Sequence, residues 1–426
     1  MQAIFDITGD LDTPVSAFMK LGAFRPRFLL ESVEGGERLG RFSFIGFGDG
    51  LEVRLDAQGL TVGEERVPVP TSTAALLAQL RSALLRAPRT AGVPALHYVA
   101  PRSVLVFDHL TRGVALLHAG SEAERRSLRT EVVRALRGGL PNGPRPGRYA
   151  PPHAAFTRSD YLSGVRRTQE YIAAGDVYQL VLASRFSGHH ELDPFQVYRA
   201  LRLINPSPYM YYCTLGEVTV VGSSPEALVK LNAGRAQLRP IAGTRPRGPD
   251  DASDAAREAE LLADPKENAE HVMLVDLARN DLGRVARAGS VRVDPYRSIE
   301  RYSHVMHMVS GVEGELAAGR DAFDLFAAAF PAGTLVGAPK VRAMEIIDEL
   351  EPVSRGLYGG TVGYFGARGD MDHAITIRTL VFSGDEYSYQ AGAGIVADSV
   401  PVTEHEEVLA KSAAMVRALE LAGEGL

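Results

Sequence analysis

The chain has no tryptophan and a single cysteine, Cys213. One thiol makes no intramolecular disulfide, which excludes a disulfide-stapled secreted scaffold and favours a reducing compartment. Cys213 lies in the aromatic run "MYYCTLGE", which reads as a strand, so a packed structural thiol is expected rather than a nucleophile. No apolar run reaches the roughly 18 residues of a membrane-spanning helix. The opening "MQAIFDITGD" lacks the basic-then-apolar pattern of a secretory signal. No basic block marks a nucleic-acid surface, and the formal net charge is −6. These absences predict a cytoplasmic protein with neither a membrane nor a nucleic-acid partner.

What is present suits a soluble enzyme of two or three domains. The 426 residues are 45% hydrophobic and 23% charged, enough for a substantial core. The clearest boundary is "GGLPNGPRPGRYAPPH", residues 138–153, whose five prolines and four glycines stop helices and paired strands alike. Before it lie strand-like segments, "RFLLESV", "RFSFIGFG", "LEVRL", "SVLVFDHL" and "GVALLHA", with one helix, "STAALLAQLRSALLRA". Strands not each followed by a helix indicate an α+β plan. After the boundary, "SDYLSGVRRTQEYIAAGD" has helical spacing with Ser159 or Asp160 as its cap. "VYQLVLASRFSG", "HVMHMVSGVEGEL" and "HAITIRTLVF" alternate like strands. "GFGDG" and "GGTVGYFG" lack dinucleotide spacing and read as turns.

Two helices carry paired carboxylates. In "DPKENAEHVMLVDLARND", Asp264 suits an N-cap, Pro265 the first helical position, and Glu267 a capping-box-like start. At about 100° per residue, Glu267, Glu270, His271, Leu274, Ala278 and Asp281 share one face. Val272, Met273, Val275 and Leu277 cover the rest, predicting a helix buried nearly all round. In "TEHEEVLAKSAAMVRALELA", Thr403 and Glu406 read as a capping box, and Glu404, Glu407 and Lys411 share a side next to an apolar stripe. Glu-x-x-Glu also occurs on ordinary helix surfaces, and "EIIDELE" at 345–351 has similar spacing, so the pattern leaves metal binding open. Buried carboxylates need a cation, and an all-oxygen set suits Mg²⁺ rather than zinc.

Long stretches in a fixed order now converge on one family. They are "FLLESVEGGERLGRFSFIG", "SPEALVK", "PIAGTRPRG", "DPKENAEHVMLVDLARNDLGRV", "RYSHVMHMVSG", "FPAGTLVGAPKVRAMEIIDELEP", "RGLYGGTVGYFG", "AITIRTL" and "AGAGIVADSVPVTEHEEVLAKSAAM". With them the chain resembles anthranilate synthase component I, among the chorismate-utilising enzymes. The resemblance implies the α+β chorismate-binding-enzyme fold, with large, mostly antiparallel sheets flanked by helices and a smaller N-terminal regulatory region. Residues 1–140 would hold the tryptophan feedback site and partner contact, and residues 155–422 the chorismate-binding catalytic domain. The implied reaction is a Mg²⁺-dependent lyase step in tryptophan biosynthesis. Ammonia adds at C2 of chorismate as the 4-hydroxyl leaves, giving aminodeoxyisochorismate, and elimination of pyruvate leaves anthranilate.

Residue by residue, the resemblance makes Glu270 and Glu407 direct Mg²⁺ ligands, with Glu267 and Glu404 acting through water or behind them. Glu226 matches the general acid, although a strand-end surface glutamate remains the other reading. His304 matches the residue tied to pyruvate elimination. Alternation sends His304 and His307 to opposite faces, so at most one meets substrate. Arg378 resembles a carboxylate-binding arginine, whose fork suits a carboxylate. Gly243, Thr244, Tyr358, Gly392, Ala393 and Gly394 complete the chorismate cradle, with Thr244 and Lys411 also among the catalytic candidates. Ala242 stands where relatives making aminodeoxychorismate often carry a nucleophilic lysine. Gln179 stands where isochorismate and salicylate synthases tend to carry a water-activating lysine. Both replacements point to the anthranilate branch.

Nothing in the chain is arranged to release ammonia from glutamine, so a separate glutamine amidotransferase subunit is expected. "LLES" and "NPSPYMYY" resemble a tryptophan feedback site, placing Ser32, Pro208, Tyr209 and Met210 around the inhibitor, with plain interdomain packing as the alternative. The absence of tryptophan fits an enzyme made when tryptophan is scarce. Several positions depart from the family pattern. A "G-x-x-G-Y-x-x-Y-D"-like stretch is missing before "SVLVFDHL", Val336 replaces a hydroxyl residue, and Arg38 and Phe42 differ from the usual residues. The alternatives are an aminodeoxychorismate synthase component I without the active-site lysine, and a catalytically silent subunit that binds chorismate or tryptophan.

Overall fold

The computed structural model describes residues 5–33, 40–56, 59–86, 94–96, 99–141, 146–301 and 305–426. Two large antiparallel sheets organise it. The first has twelve strands. It begins with Phe5–Thr8, Gly113–His118, Ser103–Asp108, Phe42–Phe47 and Phe28–Glu31. It continues through Tyr209–Leu215, Val218–Ser224, Thr379–Ser383, Glu386–Ile395 and Gln179–His189 to His153–Ala154, and the twelfth strand, Gly337–Ala338, also pairs with Gln179–His189. Strands from both sides of the proline-rich 138–153 segment therefore share one sheet, joined where Phe28–Glu31 pairs with Tyr209–Leu215. The second sheet has seven strands, with Ala227–Asn232, Met371–Ile375 and Thr361–Gly366 near its middle. These sheets match the expected α+β architecture.

Each sheet buries one face under helices, because apolar side chains on a sheet need a covering layer. Over the twelve-stranded sheet, Tyr161 and Val165 of helix Arg158–Ala173 join Val408, Met415 and Leu419 of helix Pro401–Glu424 in the larger core. Over the seven-stranded sheet, Val275, Ala278 and Leu282 of helix Pro265–Gly283 pack with Phe323 and Leu325 of helix Ala322–Ala329. The two acidic helices thus belong to different layers. Among the described residues no helix is long and apolar enough to cross a membrane.

Several local expectations change. Asp264 does cap helix Pro265–Gly283, accepting from the Lys266 and Glu267 amides. No capping box closes there, because Glu267 turns to Arg245 instead. The helix is buried on one side only, with Val272 49% exposed. Helix Pro401–Glu424 starts earlier than expected, with Pro401 at its first turn, so Thr403 lies inside it and caps nothing. The cap of helix Arg158–Ala173 is Thr157, whose hydroxyl accepts from the Asp160 amide. "GGTVGYFG" is largely the Thr361–Gly366 strand. "HAITIRTLVF" divides into Met371–Ile375 and Thr379–Ser383, which lie in different sheets. Cys213 lies within the Tyr209–Leu215 strand, where burial pushes its thiol up to about 12, in keeping with a structural role.

Three cross-strand pairs in the twelve-stranded sheet set an aromatic ring directly opposite a glycine: Phe28 with Gly46, Tyr211 with Gly222, and Tyr387 with Gly188. A Cβ at Gly46 or Gly222 would overlap the opposing ring. The ring occupies the space a side chain would fill, and the Tyr211 hydroxyl reaches Thr379 Oγ1 at 2.6 Å. Gly222→Ala is expected to destabilise the protein by about 1–3 kcal/mol through overpacking, measured by urea unfolding. An unchanged unfolding midpoint would contradict that packing.

Candidate active site

The chain passes between the two large sheets twice at neighbouring points. The first crossing, from Val218–Ser224 to Ala227–Asn232, carries Glu226. The second, from Met371–Ile375 to Thr379–Ser383, carries Arg378. The crossings are tied together, since the Ile375 amide donates to the Glu226 carbonyl (3.0 Å) and the Ser223 amide to the Arg378 carbonyl (3.1 Å). Arg378 has φ of +49°, a left-handed conformation costing a non-glycine residue roughly 1–3 kcal/mol. The surrounding ladder holds it there.

A cavity of about 150 Å³ opens between the crossings. Glu226, Tyr358, Arg378, Gly392, Gly394 and Lys411 all line it, so six of the expected residues meet in one space. Burial pushes the Glu226 carboxyl up to about 7, against the opposing effects of the Thr334 hydroxyl, which donates to it at 2.9 Å, and the Lys411 charge. Glu226 is therefore no solvated surface glutamate. Lys411 bridges two parts of the site, donating to the Gly392 carbonyl (3.0 Å) and pairing with Glu407 (2.7 Å). Ala393 alternates away from the cavity, and its methyl packs in the main core. A Cβ at Gly392 would stand 3.0 Å from the Tyr358 hydroxyl, so glycine keeps that wall clear.

Four polar residues that shape this cavity carry no sequence signal of their own. Thr334 holds Glu226. Glu351 and Arg355 form a buried ion pair at 2.6 Å. The pair anchors the strand beneath, Glu351 accepting from the Ala183 amide and Arg355 donating to the carbonyls of Val181 and Leu335. The Arg355 guanidinium also stands over the Tyr358 ring, and its carbonyl accepts from Gln390. Only their place inside the long family-like stretches hinted at them.

The acidic helices bring Glu270 and Glu407 within electrostatic reach of each other, and Lys411 of the second helix lines the cavity. The Glu270 carboxyl is raised first by burial, then by the neighbouring Glu267 charge and, more weakly, by Glu407, with Lys266 and Lys411 opposing. Glu404 is likewise raised by burial and by Glu407, against the Ser399 hydroxyl, Lys266 and Lys411. Helix Pro265–Gly283 and helix Pro401–Glu424 are thus close enough for their carboxylates to repel. Among the described residues no three acidic, histidine or cysteine side chains close into a metal-holding group. Two features keep the set apart: Glu267 is drawn to Arg245 (3.0 Å), and Glu407 is 45% exposed and paired with Lys411. The donor chemistry nonetheless fits a hard divalent cation, being all oxygen, with the Glu270 and Glu404 carboxyls raised by burial and by neighbouring carboxylates. His271, on the same helix face, is a neutral core histidine. Burial holds it down at about 4, and its Nε2 meets Ser310 Oγ at 2.6 Å.

Ala242, Gly243 and Thr244 lie on the Ile241–Pro246 strand, beside Glu267. Gly243 has φ of +66°, and a Cβ there would come 3.1 Å from Glu267 Oε2. Ala242 is buried and offers no nucleophile. Thr244 Oγ1 meets His307 Nδ1 at 2.9 Å. His304 lies outside the described residues, as does Arg38. Gln179 packs its amide against Gly394. Val336 is buried in the main core, and Phe42 is an exposed ring beneath the Arg41 guanidinium. The residues expected around tryptophan form a separate group, in which Met210 pairs with Glu31 and so stands next to Ser32. The Ser32 hydroxyl is buried with no hydrogen-bond partner among the described residues. Pro208 is half-buried, Tyr209 donates to Asp372 (3.1 Å), and the Met210 side chain lies in the core.

Two joined sheets with an acid-edged cavity at their crossings define a class, and the sequence matches it. Residues 72–417 fit the sequence model of the chorismate binding enzyme family. Within that class, the chain belongs to the anthranilate synthase component I family. It is 47% identical to anthranilate synthase component 1 of Thermus thermophilus, over 98% of this chain and 97% of the relative. It is 44% identical to that of Pseudomonas aeruginosa, over 98% and 95%. Among solved structures, anthranilate synthase component I of Streptococcus pneumoniae superposes with a TM-score of 0.77 at 31% identity, covering 97% of this chain and 100% of that one. The menaquinone-specific isochorismate synthase of Escherichia coli, at 21% identity and a TM-score of 0.75, shares the fold; the alignment covers 98% of this chain and 92% of that one.

Proposed function

We propose that the chain converts chorismate and ammonia into anthranilate, pyruvate and water, in the cytoplasm, with ammonia supplied by a glutamine amidotransferase subunit. Residues 155–422 carry the chemistry, and residues 1–140 carry regulation and partner contact. The observation that carries this reading is Glu226, a carboxyl raised to about 7 in a cavity shared with Arg378, Tyr358 and Lys411. The identity of the relatives supports the same reaction.

The cavity's own residues account for the proton movements. Arg378 and Lys411 offer positive charge to the substrate's carboxylates. Protonated Glu226 donates to the departing 4-hydroxyl, which leaves as water while ammonia adds at C2. The resulting carboxylate takes back a proton from the new ammonium group. Loss of pyruvate then leaves the aromatic product, a step the resemblance ties to His304. Thr244, fixed by His307, lies beside the acidic cluster. Ala242 offers no lysine nucleophile at its position, so ammonia itself attacks the ring. Glu270 and Glu407 would hold Mg²⁺ directly, with Glu267 and Glu404 behind them. When bound, the ion supplies Lewis-acid polarisation and orients the substrate carboxylate. Tryptophan at Ser32, Pro208, Tyr209 and Met210 would act as feedback inhibitor, a reading supported by the buried Ser32 hydroxyl, which has no hydrogen-bond partner among the described residues.

Incubation with chorismate, Mg²⁺ and ammonium should yield anthranilate fluorescence. A 4-amino product would point to the aminodeoxychorismate branch, and absence of turnover would sink the reading. Glu226→Gln should lower kcat by about 10²–10⁴-fold, the usual contribution of a general acid. Because the protonated form is the active one, wild-type kcat/KM should fall as pH rises through about 7. A pH profile flat across that window would contradict the assignment. Glu407→Gln should abolish both turnover and the Mg²⁺-binding heat in titration calorimetry while the thermal midpoint holds; intact Mg²⁺ binding would remove Glu407 from the ligand set. Ser32→Leu should raise the tryptophan concentration for half-inhibition by about tenfold, a loss near 1.4 kcal/mol, and unaltered inhibition would place the effector elsewhere.

A further inference from the structure

Arg245 follows Thr244 on the Ile241–Pro246 strand and reaches the start of helix Pro265–Gly283. Its side chain is 19% exposed, and all three guanidinium nitrogens have partners. Nη1 donates to Glu267 Oε1 (3.0 Å) and to the Thr244 carbonyl (3.0 Å), Nη2 to Asp264 Oδ2 (2.9 Å), and Nε to Glu260 Oε1 (2.9 Å). Asp264 passes the restraint on, because its other oxygen accepts from the Lys266 and Glu267 amides (2.9 and 3.2 Å). Glu267 is therefore fixed twice, by its amide and by its carboxylate. Its second oxygen, Oε2, lies against the strand, where a Cβ at Gly243 would stand 3.1 Å away. One guanidinium against three carboxylates leaves the group negative as a whole.

We propose that Arg245 is a positioning residue that selects Mg²⁺ over Ca²⁺ by keeping Glu267 out of direct contact with the ion; the proposal rests on the metal assignment above. Mg²⁺ is small, gives up water reluctantly and is held through few carboxylates, whereas Ca²⁺ takes roughly six to eight oxygens in a flexible shell. Glu270 and Glu407 alone make the sparse set that suits the smaller ion. Glu267 lies one helical turn from Glu270 on the same face, and a third carboxylate from there would favour the larger one. To reach the ion, Glu267 has to give up a charge-assisted bond and leave a mostly buried guanidinium short of a partner, which is costly. The guanidinium does not simply follow it, since the Thr244 carbonyl anchors Nη1 to the strand. Glu260 is 64% exposed and adds little to the hold. A residue that merely tied the strand to the helix would affect both ions alike, so the ratio of the two affinities is the quantity that isolates this role.

Titration calorimetry of the whole chain with MgCl₂ and, separately, CaCl₂, without chorismate, tests the proposal. Arg245→Gln frees Glu267, so Ca²⁺ affinity should rise by about tenfold and Mg²⁺ affinity by less than about threefold. Arg245→Lys keeps the charge but has no planar fork to span the carboxylates, and should move the ratio the same way by about threefold. It serves if the first variant fails to fold, as judged by the thermal midpoint. In a Glu267→Gln background, Arg245→Gln should leave the ratio within about twofold, because no third carboxylate remains to be released. A ratio unmoved in a folded single variant, or one that shifts equally without Glu267, overturns the proposal. A wild-type chain that takes up neither ion refutes the metal assignment and the selectivity together, whereas Mg²⁺ uptake with an unmoved ratio sinks the selectivity alone.

Discussion

The two hydrogen bonds that join the sheet crossings, Ile375 to Glu226 and Ser223 to Arg378, are the constraint on which the site depends. The Glu226 carboxyl must sit away from water to hold its proton near neutrality, and the Arg378 guanidinium must reach the same space without neutralising it. Both conditions are met where backbone, rather than side-chain pairing, fixes the two residues. Glu226 spends its hydrogen bond on Thr334, and Arg378 reaches toward Asn205. Left-handed backbone at Arg378 is tolerated because the strands on either side belong to separate, well-paired sheets. The Glu351–Arg355 pair beneath adds rigidity by filling carbonyls that would otherwise lack donors.

Charge on the acidic side is arranged by contrast. Arg245 gathers Glu260, Asp264 and Glu267, and Lys411 holds Glu407, so two of the four candidate ligands have cationic partners. Glu270 and Glu404 have weaker compensation and higher carboxyl pKa values. A divalent cation entering between the helices would reverse the sign of the local field and relieve the repulsion that raises Glu270 and Glu404.

Much of this was legible from local periodicity. The paired carboxylates and most strands follow from spacing of three and four or of two, whereas the proline-rich segment interrupts the elements without interrupting the twelve-stranded sheet. What escaped depends on contacts distant in sequence. Alternation through "HAITIRTLVF" is continuous, and no glycine or proline marks the turn at Arg378, so nothing local shows two strands in two sheets. The capping box expected at Glu267 fails because Arg245, 22 residues earlier, competes for the carboxylate. Helix Pro401–Glu424 begins before Thr403 because Pro401 already has the right backbone for a first turn. Glu226 could be placed only by resemblance, since burial of a strand-end glutamate is a property of the assembled sheets.

The joint between Phe28–Glu31 and Tyr209–Leu215 has a consequence for any attempt to dissect the molecule. Division of the chain within 138–153 would leave each fragment with a bare β-edge, at Phe28–Glu31 in one and Met210–Cys213 in the other, each presenting both amides and carbonyls to solvent. Such edges recruit any available strand, including one from an identical fragment. The proline-rich segment is therefore a connection in the covalent chain but not a seam in the fold, and the two halves would be recovered together or as aggregates.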